Sequence, residues 1–141
     1  MSIKAQILNV KDLELLLIFN NEKIDTYLSN KGFLFESIKE LDDCGQIEYK
    51  YNIPMLQREY FSKFNYFNGK KLITYCIFDV KAYSSIKQQI TNSGFVFIEQ
   101  YNYQGKLVLK YKKGDIYLSI WSGKDEADIY NIYEINLSNK E

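Results

Sequence analysis

Histidine is absent from the chain. Its absence removes Ser-His-Asp and Cys-His nucleophilic pairs, imidazole acid-base chemistry and every zinc site that needs an imidazole. Cysteine is scarce. Cys44 and Cys76 stand alone, far too few for a disulfide framework or a cysteine-rich metal centre. In a cytosolic chain, two free buried thiols are a simpler expectation than a bridge. Arginine occurs once, at Arg58, so the positive charge is almost all lysine. Lysines and arginine together number 18, as do aspartates and glutamates, and the formal net charge is zero. A chain with no positive excess and no supply of forked guanidinium groups is poorly equipped to bind nucleic acid.

The seven glycines are scattered, so no glycine-rich phosphate loop can form. Ser122-Gly123-Lys124 reads as a turn and not as a phosphate cradle. The longest apolar run near the start, Leu15 to Phe19, is too short to span a membrane. No basic segment, apolar stretch and small-residue cleavage site follow one another at the N-terminus. A cytosolic protein is the simplest expectation, with a secreted mature form as the alternative. No cofactor is implied by any motif.

Aromatic residues are plentiful: 13 tyrosines and 9 phenylalanines against one proline, at Pro54. That balance favours strands, because tyrosine suits a pleated, half-buried surface. The 46% apolar and 26% charged fractions are ordinary, so 141 residues make one globular domain able to bury its own core.

The chain also repeats a pattern. IDTYLSNKGFLF, Ile24 to Phe35, returns as IKQQITNSGFVF, Ile86 to Phe97. Ile24 matches Ile86, Leu28 matches Ile90, Gly32 matches Gly94, and Phe33 and Phe35 match Phe95 and Phe97. Each copy reads as a helix end, a glycine stop and an alternating strand. Residues 11–31 have helical periodicity through Leu13, Leu16, Leu17, Ile24 and Leu28. Asn20-Asn21 interrupts it, which predicts a kink or two short helices, with Asp12 as the first cap. Phe33 and Phe35 should share one face of a short strand. Ile47, Tyr49 and Tyr51 line the next, Pro54 interrupts, and residues 59–67 form a third. Asn68-Gly69 is a strong hairpin signal before Lys71 to Asp79. Val80, Tyr83, Ile86 and Ile90 mark a second helix. The strands FVFIEQY, KLVLKYK, IYLSIW and Ile129 to Leu137 follow, and the tail Ser138 to Glu141 is expected to fray.

The expected fold is therefore α+β: a single domain, residues 1–141, made of two pseudo-repeats at about 11–79 and 80–137. Each is a helix followed by a four-stranded antiparallel meander, with helices packed on one face of the sheet or sheets. One eight-stranded sheet and two packed four-stranded sheets are both open. With the YLSNKGF helix end and the meander after it, the module resembles small duplicated α/β proteins of bacteria that act as inhibitors or immunity proteins. The resemblance lies in architecture and carries no residue roles with it.

Carboxylates supply what chemistry remains. Asp42-Asp43 follow the first strand, and Asp125, Glu126 and Asp128 sit in the last hairpin. Read as catalysis, they suggest a carboxylate-dependent hydrolase working in a groove between the halves, which is one alternative. Read as turn chemistry, they are ordinary exposed acids. A third reading combines them with Trp121 and Lys124. An exposed tryptophan beside acidic residues resembles a protein-binding hot spot steered by electrostatics, whereas a Trp121 in the core or covering a sheet edge would be a packing residue. Tyr60, Phe64 and Tyr66 share one strand face while Phe61 and Phe67 share the other, so some aromatic surface must meet a second layer, a partner or solvent.

The function expected from these residues is non-enzymatic protein binding, by an inhibitor or immunity protein that neutralises a basic toxin or enzyme. The partner-binding candidates are Trp121, Lys124, Asp125, Glu126, Asp128, Asp42 and Asp43. The alternatives are a structural component of a bacterial assembly, a homodimer through a sheet edge, and a ligand-binding domain.

Overall fold

Where helical periodicity lapses at Asn20-Asn21, the helix itself stops and restarts. α1 spans Val10–Ile18 and α2 spans Asn21–Asn30. Asn20 starts α2 by accepting the Lys23 N–H at 2.9 Å. In α1 the cap is Asn9, not Asp12. Asp12 is the third helical residue and returns the bond, accepting the Asn9 N–H at 2.9 Å in a reciprocal capping box. A computed structural model describes residues 8–53, 57–124 and 131–141.

Gly32 ends the second helix with φ of 92°, a left-handed turn that a residue with a Cβ adopts at a cost. The Phe33 N–H then donates back to the Leu28 carbonyl at 2.9 Å. The same device closes α3, Val80–Asn92. There Gly94 has φ of 90° and the Phe95 N–H donates to the Ile90 carbonyl at 3.3 Å.

Eight strands follow these helices: β1 Leu34–Glu40, β2 Cys44–Ile53, β3 Gln57–Tyr66, β4 Lys71–Ile77, β5 Val96–Tyr103, β6 Lys106–Lys113, β7 Ile116–Lys124 and β8 Asn131–Ser138. They form one antiparallel sheet in the order β1-β2-β3-β4-β8-β7-β6-β5. Each meander is laid down strand by strand, and the two join through β4 and β8. This resolves the choice between one sheet and two. The meanders share local detail. A bulge falls between Phe35 and Ser37 in β1 and between Phe97 and Glu99 in β5. Phe35 meets Tyr49 edge-on at 5.8 Å, and Phe97 meets Tyr111 edge-on at 5.7 Å.

Three differences from the sequence reading have plain causes. Ser122 to Lys124 are strand residues and not a turn, because Ser122, Gly123 and Lys124 pair with Tyr133, Ile132 and Asn131. The strand ladder outweighs one glycine. The C-terminal tail is tied down rather than frayed. Asn139 accepts the Lys71 N–H at 2.7 Å and donates to the Gly69 carbonyl at 3.1 Å, and Lys140 donates to the Asn68 carbonyl at 2.8 Å. Phe33 is buried, but Phe35 is 53% exposed, since β1 begins only at Leu34 and is an edge strand. Tyr51's side chain, Pro54 and Ile129 lie outside the described residues.

Alternation along each strand sends one set of side chains under the helices. One transverse row on that face reads Tyr49, Phe61, Tyr75, Ile135, Ile120 and Leu109 across six strands, and all six are buried. α1 lies against β4 and β8, and α2 lies against β1. Polar bonds fix the layers in place. The Tyr49 hydroxyl donates to Asp25 of α2 at 2.8 Å, and the Val10 N–H donates to Gln89 of α3 at 2.9 Å. Tyr83 of α3 stacks on Tyr133 with ring centroids 4.1 Å apart. Among the described residues, no helix is long and apolar enough to cross a membrane.

Lys63 is a charged residue on the helix-facing parity, the same as Phe61. It projects from β3 into the helix layer, is 1% exposed, and donates to the carbonyls of Leu16, Leu17 and Phe19 at 3.1, 2.9 and 2.6 Å. It thus serves as the C-terminal cap of α1, where the helix dipole favours a cation. Burial lowers its pKa from the usual 10.5 to about 8, with Lys71 adding to the effect. Between those values the unfolded chain holds more protons than the folded one, so this group makes stability rise as pH climbs from about 8 towards 10.5. Tyr27 opposes it at the upper end. Its pKa is pushed up to about 12, by burial first and then by the Asp12 carboxylate that its hydroxyl bonds. Lys63→Met should destabilise the fold by about 1–3 kcal/mol at pH 7, because the helix carbonyls lose their donor. It should also abolish the rise in stability above pH 8. Urea titrations at pH 7, 8, 9 and 10 measure both effects, and an unchanged pH profile in the variant would count against this role.

Candidate functional site

The strand residues that do not face the helices make the opposite side of the sheet. Pairing register orders them in rows across the strands. One row is polar: Thr74, Asn136, Ser119, Lys110 and Glu99 run from β4 to β5, with Ser62 and Glu48 continuing it through β3 and β2. Within it, the Thr74 hydroxyl donates to the Asn136 side-chain oxygen at 2.7 Å, and Lys110 lies 3.6 Å from Glu99. Aromatic and aliphatic groups flank that row. Phe64, Leu72 and Tyr117 lie on one side, and Tyr60, Cys76 and Trp121 on the other.

This face is hollow. A trough of about 510 Å³ is lined by residues of β3, β4, β8, β7, β6 and β5, including Phe64, Thr74, Tyr117, Trp121, Glu134 and Asn136. One concavity that touches both β3 and β5 crosses the β4–β8 junction. Eight strongly twisted strands curl in this way when nothing forces them flat. Among the described residues, the helices all contact the other face or the β1 edge.

Trp121 stands in the trough wall, half-buried. Its ring meets Tyr103 edge-on at 5.8 Å, Lys106 lies over it at 6.0 Å, and its N–H donates to Ser119 at 3.2 Å. Such a tryptophan has a fixed orientation and an accessible flank, the usual condition of an anchoring aromatic. Glu134 is half-buried and lies beside Trp121 in the next strand. Glu99 is exposed.

The other candidates scatter. Lys124 is exposed at the end of β7, three residues beyond Trp121. Asp42 and Asp43 are exposed in the turn before β2. In register, Trp121 is level with Lys50, so Asp43 lies about 20 Å away along the strand direction alone. Asp42 and Asp43 therefore do not share a site with Trp121 and Lys124. Asp125, Glu126 and Asp128 lie outside the described residues. The sequence reading missed Tyr117, Asn136, Ser119, Thr74 and Lys110. For Tyr117, Ser119, Asn136 and Thr74 the signal was present, because each occupies the parity opposite the buried apolar residues of its strand; Lys110 shares its parity with buried Val108 and gave no such signal.

Neither cysteine is bridged. Burial raises the Cys76 pKa to about 12, and neighbouring Glu134 adds to the rise. Burial raises Cys44 as well, helped by Asp43. Both thiols are held protonated, which suits packing and not nucleophilic attack. Among the described residues, no group of three or more cysteine or acidic side chains converges in a way that could hold a metal ion. No protein-family model, curated protein or solved structure matches this chain.

Thiolate scarcity has a direct readout. Cys76 should be alkylated by iodoacetamide at pH 8 at least about 100-fold more slowly in the native protein than in urea. A native rate within a few-fold of the denatured one would mean that the thiol is neither buried nor held protonated.

Proposed function

We propose that this chain is a non-enzymatic protein-binding module, an inhibitor or immunity protein that neutralises a toxin or enzyme. The observation that carries the proposal is the sheet face that no helix covers among the described residues, hollowed to about 510 Å³ and walled by Trp121, Tyr117 and Phe64. A polar row of hydroxyl, amide and charged groups, flanked by rows that carry Trp121, Tyr117, Phe64 and Tyr60, suits an extended partner segment laid across the strands. The polar groups satisfy its backbone, and the aromatic groups take its side chains. Lys124 ends the strand that carries Trp121. The acids that follow it in sequence, Asp125, Glu126 and Asp128, and Asp42 and Asp43 at the other end of the sheet would steer a basic partner electrostatically.

Protonated thiols and the lack of histidine support a binding role over nucleophilic catalysis. The matching glycine stops, bulges and Phe–Tyr contacts of the two meanders support an origin by duplication, with pseudo-repeats at about 11–79 and 80–137 in one domain. A cytosolic location fits the unpaired cysteines. A second reading, a component of a larger assembly built through sheet edges, draws on the apolar side chains exposed along β1 and β5.

Trp121 is the chain's one tryptophan, so its emission reports on the trough directly. Titration with the partner, for which the protein encoded next to this one is the first candidate, should shift the emission to shorter wavelength. Trp121→Ala should weaken that complex by about 30-fold or more, as truncation of a central aromatic anchor does. A complex that forms with full affinity in the variant would remove the trough from the account.

A further inference from the structure

The sheet ends in two strands that nothing in the described structure pairs on their outer side, β1 and β5. Both carry exposed apolar side chains. Leu34, Phe35 and Ile38 are 64, 53 and 63% exposed on β1, and Val96, Phe97 and Ile98 are 67, 52 and 51% exposed on β5. Solitary proteins usually blunt such edges with charge, proline or very short strands. Each edge here keeps a bulge, but neither strand is short and neither holds a proline.

The two edges differ in charge. From Leu34 to Lys50, through β1 and into β2, five acids (Glu36, Glu40, Asp42, Asp43 and Glu48) face two lysines, Lys39 and Lys50. From Val96 to Lys113, through β5 and β6, four lysines (Lys106, Lys110, Lys112 and Lys113) face one acid, Glu99. Internal pairing leaves the contrast in place. Lys39 takes up Glu48 at 3.0 Å, Lys110 takes up Glu99 at 3.6 Å and Lys113 takes up Glu14 at 2.7 Å. Exposed Glu36, Glu40, Asp42 and Asp43 then remain at one edge with half-buried Lys50, and exposed Lys112 with half-buried Lys106 at the other.

Direction matters as well. Every neighbour in the sheet is antiparallel, so across eight strands β1 and β5 run in opposite senses. A copy displaced sideways therefore sets its β1 antiparallel to the first copy's β5, and the sheet continues without a change of pattern. If the rows run on in register, Ile38 meets Phe97 and Leu34 meets Tyr101. A twofold dimer through β1 alone, or through β5 alone, would oppose like charges.

We infer that the partner for these edges is a second copy of this chain, joined head to tail with the basic β5 edge of one molecule on the acidic β1 edge of the next. Such a contact is heterologous, so it grows into open chains or closes as a ring rather than stopping at two. One strand pair is a small interface, which makes the assembly weak, concentration-dependent and sensitive to salt. The inference does not depend on what occupies the trough.

Sedimentation velocity of the full chain across a concentration series, at low and high salt, tests it. The expected result at low salt is a mass that climbs past about twice that of the monomer and falls back as salt is added. Glu36→Lys with Glu40→Lys should abolish growth, as should Lys106→Glu with Lys112→Glu, and mixing the two variants should restore it. Trp121→Ala should assemble like the parent, which separates a failure here from a failure of the trough reading. A monomer at every concentration, or a dimer that never grows, would overturn the inference even if the charge variants fail to fold.

Discussion

Seven antiparallel pairings align eight strands so that alternate side chains point to one side, and among the described residues three helices cover that side alone. The remainder of the architecture depends on this one-sided burial. It demands an unbroken apolar layer beneath the helices, which the row from Tyr49 to Leu109 supplies. It also releases the opposite parity from core duty. Hydroxyls, amides and charges can then line up there across the strands, and the twist of an unsupported sheet bends them into a trough. The core and the proposed binding surface are two consequences of the same alternation.

Lys63 is the charged member of the covered side. It shares the parity of buried Phe61, so alternation points it into the helix layer. The charge is accommodated there because α1 ends with carbonyls that need a donor. Asp12 meets a similar demand, taking the Asn9 N–H and the Tyr27 hydroxyl near the start of the same helix. Lys63 thus ties α1 to the sheet, and Asp12 ties it to α2.

Local chemistry was legible in the sequence where a single residue type answers a local demand. The Asn20-Asn21 break, the Gly32 and Gly94 stops and the Asn68-Gly69 turn each rest on backbone geometry that few residues satisfy. What could not be read depends on partners distant in the chain. Ser122-Gly123-Lys124 looks like a turn until Tyr133, Ile132 and Asn131 lie beside it. The tail looks loose until Lys71 and Gly69 offer it partners. Trp121 was identified from its chemistry, whereas the polar row beside it came into view only with register. Asp42 and Asp43 resembled members of the same cluster because sequence gives no measure of distance along a sheet.

The junction between β4 and β8 has a kinetic meaning. Every other neighbouring pair in the sheet is joined by a short connection, but Ile73 and Leu137 meet only after the chain has passed through α3 and three further strands. Closing that long loop is the most costly entropic step in building the sheet. Both meanders can zip up from their own hairpins beforehand, so the central pairing governs the rate at which the whole molecule folds.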